Sequence, residues 1–149
     1  MSKIVVADST CLIGLSKIGK LEILRDLFGT ILIPPSVFHE VVVLGSGRPG
    51  AAEIDSAEWI QTRDVADGLA VNTLRLTLGA GESEAIVLAC EQAVDFIILD
   101  DWQARQVAFA LSLPVIGTVA VLTKAEAKGL ISDLASAVEA LRKSGFYFL

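Results

Sequence analysis

Histidine is almost missing from this chain: His39 is the only one in 149 residues. That excludes a multi-histidine metal cluster. It also weakens any Ser-His-Asp arrangement, because one imidazole is available and Glu40 follows it directly. Cysteine is nearly as scarce. Cys11 and Cys90 lie far apart, in no CxxC spacing and among apolar residues. They read as two reduced, buried thiols rather than a disulfide or a zinc site. Basic tracts are absent, and 12 Lys and Arg stand against 18 Asp and Glu, a net charge of −6. Strong nonspecific affinity for nucleic acid is thereby excluded. A polyanionic substrate would need metal ions, local arginines or a partner to offset the acidic surface.

Long apolar runs are also lacking, although 53 % of residues are hydrophobic and the mean hydropathy is +0.63. No run approaches the roughly 20 residues of a membrane span. MSKIVVADS is too short and too early-charged for a signal peptide. A cytoplasmic protein with no membrane association is expected. There is no repeat, low-complexity tract or linker, so residues 1–149 are expected to form a single domain.

Short apolar runs alternate with helical patterns. KIVVAD (3–8), TILIP (30–34), Trp59–Thr62, DFIIL (95–99) and PVIG (114–117) read as strands. Between the first two, Leu12, Leu15, Ile18, Leu21, Leu24 and Phe28 recur at helical spacing, with Gly19 breaking the stretch in two. SVFHEVVVLG is rich in β-branched residues, yet Pro35 suits the first turn of a helix, so a helix is expected. SGRPGAAE (46–53) reads as a loop, and residues 68–78 as a helix. GAGESEAIVLACEQA reads as a glycine-rich loop feeding a helix with Ile86, Ala89, Cys90 and Ala93 inward. Three more helices follow, over DWQARQVAFALSL, TVAVLTKAEAKG and ISDLASAVEALRKSG, before the closing FYFL. The alternation predicts a three-layer α/β/α fold with a short parallel sheet. Gly45, Gly47 and Gly50 match G-x-G-x-x-G, but Pro49 sits inside the match and no long helix follows, so it reads as an accidental loop.

In open α/β sheets, ligands bind beyond the carboxyl ends of the strands. Asp8 ends the first strand, and Asp100 and Asp101 end the strand over 96–99. Glu40, Glu82 and Glu84 lie on intervening helices. Several carboxylates in one cleft repel one another, and a divalent cation removes that cost. Their hard oxygens suit Mg²⁺ or Mn²⁺, ions that activate water and stabilise charge on a phosphoryl group. Each acid has a plainer alternative. Asp8 and Asp101 suit helix caps, Glu82 and Glu84 suit a helix's first turn, and Glu40 an exposed helix face.

VVADSTCLIGLSKIG, IPPSVFHEVV, GAGESEAIVLA, ILDDWQARQVA and LPVIGTVAVL, in this order, resemble the PIN-domain family. The likeness is to small prokaryotic members related to VapC-type toxins, and it runs over nearly the whole chain. It implies a parallel sheet flanked by helices, with acids from four segments binding Mg²⁺ or Mn²⁺ to cut RNA. By position, Asp8, Glu84 and Asp101 would be the principal ligands, and Asp100 and Glu82 would share the metal site. Glu40 would hold a water or a second ion. Ser9, Arg48, Arg105 and Thr118 are the candidates for substrate contact. The chain departs from the family at Leu99, where Thr or Ser is common, and Ser9 or Thr118 is left to supply a hydroxyl. The resemblance implies the toxin ribonuclease of a toxin–antitoxin pair, with an antitoxin partner and a homodimer. Its rival is a PIN-fold RNA- or protein-binding module of weak or no activity. A receiver-type phospho-acceptor domain fits less well, since a single acid ends the first strand and no lysine ends PVIG.

Overall fold

Val5–Ala7 (β1), Ile31–Ile33 (β2), Ile60–Thr62 (β3), Phe96–Ile98 (β4) and Val115–Ile116 (β5) are the strands of the protein, described over residues 3–146 in a computed structural model. All pairings are parallel, in the order β3-β2-β1-β4-β5. The strands are short and apolar because both faces of the sheet are covered. Side chains alternate between the two faces. Val5, Ala7, Ile31, Ile33 and Ile98 enter one core, and Val6, Leu32, Ile97 and Leu99 enter the other.

The first core is closed by Ser9–Lys17 (α1), Ile23–Phe28 (α2), Pro35–Phe38 (α3) and Ala51–Ser56 (α4), and by two later helices, Thr118–Ala127 (α8) and Leu134–Lys143 (α9). The second is closed by Gly68–Leu74 (α5), Ala80–Gln92 (α6) and Trp102–Ala110 (α7). The result is the expected three-layer α/β/α arrangement. Leu12, Leu15, Leu24, Ile86, Leu88 and Leu122 are wholly buried, and each contributes roughly 1.5–3 kcal/mol by leaving water.

The local breaks have local causes. Gly19 adopts φ +70°, a conformation glycine takes without strain, and it separates α1 from α2. Pro35 opens α3 where no amide donor is needed. Beyond α3 the helix widens into a π-helical turn over His39–Val43, sealed by the Leu44 N–H donating to the His39 carbonyl at 2.8 Å. Three consecutive valines, Val41 to Val43, disfavour a regular helix there.

Two expectations change, over α4 and Cys90, and one about the glycine match holds. Residues 51–53 open α4 instead of extending the loop, because Glu53 accepts the Gly50 N–H at 2.6 Å and caps the turn. No strand leads into Gly45, Gly47 and Gly50, so the glycine match has no dinucleotide-binding context. Cys90 is exposed, not buried, although Cys11 is buried as expected. Cys90 falls on the outer side of α6, and Ala93 turns into the left-handed region to end that helix. Of the closing FYFL, residues 147–149 lie outside the described residues. No helix of the described residues is long and apolar enough to cross a membrane.

Candidate metal centre

The strand order reverses between β1 and β4, where a crevice opens at the carboxyl edge of a parallel sheet. The two strands run side by side in register, Ala7 opposite Ile98. The Asp8 N–H donates to the Ile98 carbonyl at 3.3 Å, and the Leu99 N–H donates to Ile116 at 2.9 Å. Asp8 and the Asp100-Asp101 pair are therefore delivered to one edge.

Asp8 begins α1 but does not cap it with its side chain. It is 4 % exposed. Burial pushes its carboxyl up to about 7, and the charges of Glu82, Glu40 and Asp100 push the same way, against the lowering effect of the Ser9 backbone N–H. No Lys or Arg nitrogen pairs with it; the ion pairs among the described residues are Arg25–Asp26 and Arg142–Glu139. The first turn of α6 closes over this acid. A Cβ on Gly81 would sit 3.4 Å from Asp8 Oδ1 and 3.3 Å from Val37.

Glu82 reaches the same crevice from α6. It accepts the Gly79 N–H at 3.3 Å, and its own carboxyl is raised by burial and by the charge of Asp101, with which it shares a hydrogen bond. Asp101 caps α7 by accepting the Ala104 N–H at 2.9 Å. Asp100 turns toward α8. It accepts the Thr118 N–H at 2.9 Å and the Thr118 hydroxyl at 2.6 Å. Glu40 stands exposed on the π-helical turn, and its charge is felt by both Asp8 and Glu82. Five carboxylates from four segments thus converge: Asp8, Glu40, Glu82, and Asp100 with Asp101.

Glu84 is placed differently. Both its oxygens are taken by Ser36 at the start of α3, through the backbone N–H at 3.0 Å and through the hydroxyl. It ties α6 to α3, and the α6 acid whose charge is felt by Asp8 is Glu82, two residues earlier. Helical geometry explains the difference, since residues two apart point about 200° away from each other. Arg105 donates to the Leu99 carbonyl at 2.8 Å and lies 5.6 Å from the Phe109 ring, which fixes the β4 terminus. Thr118 is fully buried and bound to Asp100, so its hydroxyl serves that acid instead of a substrate. Ser9 is 7 % exposed, and its backbone N–H bonds Asp8. Arg48 is exposed on the loop before α4. Leu99 is wholly buried in the second core, beside Val6 and Ala104. Ser36 and Gly117 escaped the sequence reading. Gly117 lets Asp100 and Arg105 pack together, since a Cβ there would fall 3.0 Å from Asp100 Oδ1 and 3.1 Å from Arg105 Nη1. One sequence carries no signal linking Ser36 to an acid 48 residues away.

The PIN-domain family model matches residues 4–149. The chain belongs to the PIN-domain family. Among solved structures it is similar to a PilT N-terminus domain protein from the hyperthermophilic archaeon Sulfolobus solfataricus P2. The two share 20 % identity with a TM-score of 0.56, over 81 % of this chain and 92 % of that one. That likeness is one of fold. No protein of curated function matches. The PIN fold is of nuclease type, and a hydrolase is consistent with it.

The donor set fits a hard divalent cation. It is all carboxylate oxygen, and it includes a buried acid held without a cationic partner. Among the described residues no group of three or more His, Cys, Asp or Glu side chains is arranged to hold a metal ion as it stands. Asp101 faces its own helix cap, and Glu82 leans on Gly79 and Asp101.

Proposed function

We propose that this PIN domain is a metal-dependent endoribonuclease, the toxin of a toxin–antitoxin pair. The observation that carries the reading is Asp8: a buried acid in a cluster of acids, with no ion pair to balance it among the described residues. Asp8, Glu82 and Asp101 would hold Mg²⁺ or Mn²⁺, with Asp100 beside them. A bound divalent ion supplies Lewis acidity toward the scissile phosphate and a more acidic water. Glu40, exposed at the mouth, orients the attacking water and accepts its proton. Asp100 is held by Thr118, and Arg105 fixes the strand end, so the acids keep their places during attack. In-line displacement leaves a 5′-phosphate and a 3′-hydroxyl. Glu84 positions α3, and with it Glu40, through Ser36.

The test is RNA cleavage with Mg²⁺ or Mn²⁺, comparing wild type with Asp8→Asn and Asp101→Asn. Each variant is expected to lose about a hundredfold or more, since even ligand-supporting residues cost 10- to 100-fold. A wild type inert with every divalent metal tried would refute the enzyme reading. The unclosed side-chain arrangement favours one rival, a PIN-fold module that binds RNA or protein without cutting it. Binding without cleavage would establish that rival.

An antitoxin and a second copy of the chain are the proposed partners, acting in the cytoplasm. Exposed Leu44, Leu69, Leu76 and Trp102 support protein contacts. A small antitoxin-like reading frame beside the gene, whose product co-purifies and silences cleavage, is the expected finding.

A further inference from the structure

A second cleft leads away from the acids. Glu40 forms one wall of a 440 Å³ hollow whose other walls carry Lys17, Arg48, Ile13, Leu44 and Pro49. Lys17 ends α1 and Arg48 sits on the loop before α4, so two cations from separate segments meet in one hollow. Their gathering stands out in a chain of net charge −6.

Both cations have donors to spare. Lys17 Nζ donates once, to the Ser144 carbonyl at 3.2 Å, and an ammonium has three donors. Arg48 makes no side-chain hydrogen bond or ion pair among the described residues. Arg25, Arg142 and Arg105, by contrast, bond to Asp26, Glu139 and Leu99. Beside the charges, Leu44 is 68 % exposed and, with Pro49, offers apolar surface.

We infer that the Lys17–Arg48 cleft holds the RNA strand next to the cleavage point, its cations on the neighbouring backbone phosphates and Leu44 and Pro49 against a sugar or base. This rests on the ribonuclease reading. A strand whose scissile phosphate lies over the acids continues past Glu40, and this hollow is where it meets positive charge. The hollow has the size of a small-ligand site, which suits part of a single strand. Phosphate contacts position a strand without reading its sequence. The cleft therefore supplies the local cations that an acidic nuclease requires.

The experiment measures binding of a fluorescein-labelled single-stranded RNA by anisotropy across a salt series, in EDTA to prevent turnover, and cleavage in parallel with Mn²⁺. For a single strand, each phosphate neutralised contributes about 0.7 to the slope of log K against log salt. Lys17→Gln and Arg48→Gln are each expected to weaken binding about fivefold at 0.1 M salt and to flatten the slope by about 0.7. Together they should weaken it about 25-fold. Lys128→Gln, the same charge change at an exposed site outside the cleft, is the control and should leave the slope alone. Arg48→Gln removes no internal bond, so its result does not depend on the Lys17–Ser144 contact. Equal losses in all three variants, or none in Arg48→Gln, would overturn the cleft. The two readings fail separately. A wild type that never cleaves but loses binding in the cleft variants retains the cleft and refutes the nuclease. A double variant, with both cations removed, that cleaves as well as wild type does the reverse.

Discussion

Replacing Asp8 by Asn should make the metal-free protein more stable, and only at neutral and higher pH. Asp8 is 4 % exposed, and its carboxyl is raised from 3.8 to about 7, mainly by burial and then by Glu82, Glu40 and Asp100. A folded pKa above the unfolded one means that the native state binds more protons between these values. Stability therefore falls as pH rises from about 4 to about 7. The shift is roughly 3 units, or about 4 kcal/mol for the ionised form at pH 8. Asn keeps the shape and carries no charge, but it accepts the Ser9 N–H more weakly, so a net gain of about 2–4 kcal/mol is expected. At a urea m-value of about 2 kcal/mol per molar, the midpoint rises by roughly 1–2 M. Urea unfolding in EDTA at pH values from 4 to 9 measures it. The gain should shrink toward zero near pH 4. Added Mg²⁺ should stabilise wild type and leave the variant unchanged. A variant less stable than wild type at pH 8, or a gain independent of pH, would refute the argument that Asp8 is a buried charge without a counter-ion.

Three other outcomes follow from the same geometry. Glu84→Ala should lose about 1.5–3 kcal/mol of stability, because it leaves Ser36 unpaired; a double-mutant cycle with Ser36→Ala should show strong coupling. Its activity should fall less than that of Glu82→Gln, an isosteric change at the acid inside the cluster. Asp101→Ala and Asp101→Asn should both abolish cleavage, but thermal unfolding should separate them, the Ala variant alone losing the α7 cap at a cost of about 1 kcal/mol. Leu99→Thr, which restores the residue common in the family, should destabilise the fold by about 1–3 kcal/mol without raising the cleavage rate, since its side chain enters the second core.

The layered fold was legible because strands and helices carry different apolar periods. Asp8 and Asp101 were legible because a parallel sheet delivers strand-end acids to one edge. The choice between Glu82 and Glu84 was not. Both stand in the first two turns of α6 on nearly opposite sides, and the Ser36 contact, made across 48 residues, marks the side that Glu84 takes. Cys90 was misjudged for a related reason. The residues before it in sequence are apolar, but its direction on α6 places it outside. In sequence, Thr118 is a candidate for substrate contact as a spare hydroxyl, and Arg105 for its spacing after Asp101. In the fold the Thr118 hydroxyl is bound to Asp100, and Arg105 gives one of its N–H groups to Leu99. The opening of α4 at Ala51 depended on Glu53 folding back to Gly50, a local bond hidden within a glycine-rich run.

The π-helical turn at His39–Val43 gives the site an unusual genetic sensitivity. A π turn is, in effect, a regular helix with one residue inserted, and each residue advances the helix by about 100°. Deleting one valine from Val41–Val43 would let the segment relax toward an ordinary α-helix. The residues beyond it, including Leu44 and the loop carrying Arg48, would swing by the same angle. Glu40 and Arg48 would then no longer face one hollow, although neither had been substituted. The spacing between the acid and the cation is thus recorded in chain length, and single-codon deletions there should be as harmful as changing the charged residues themselves.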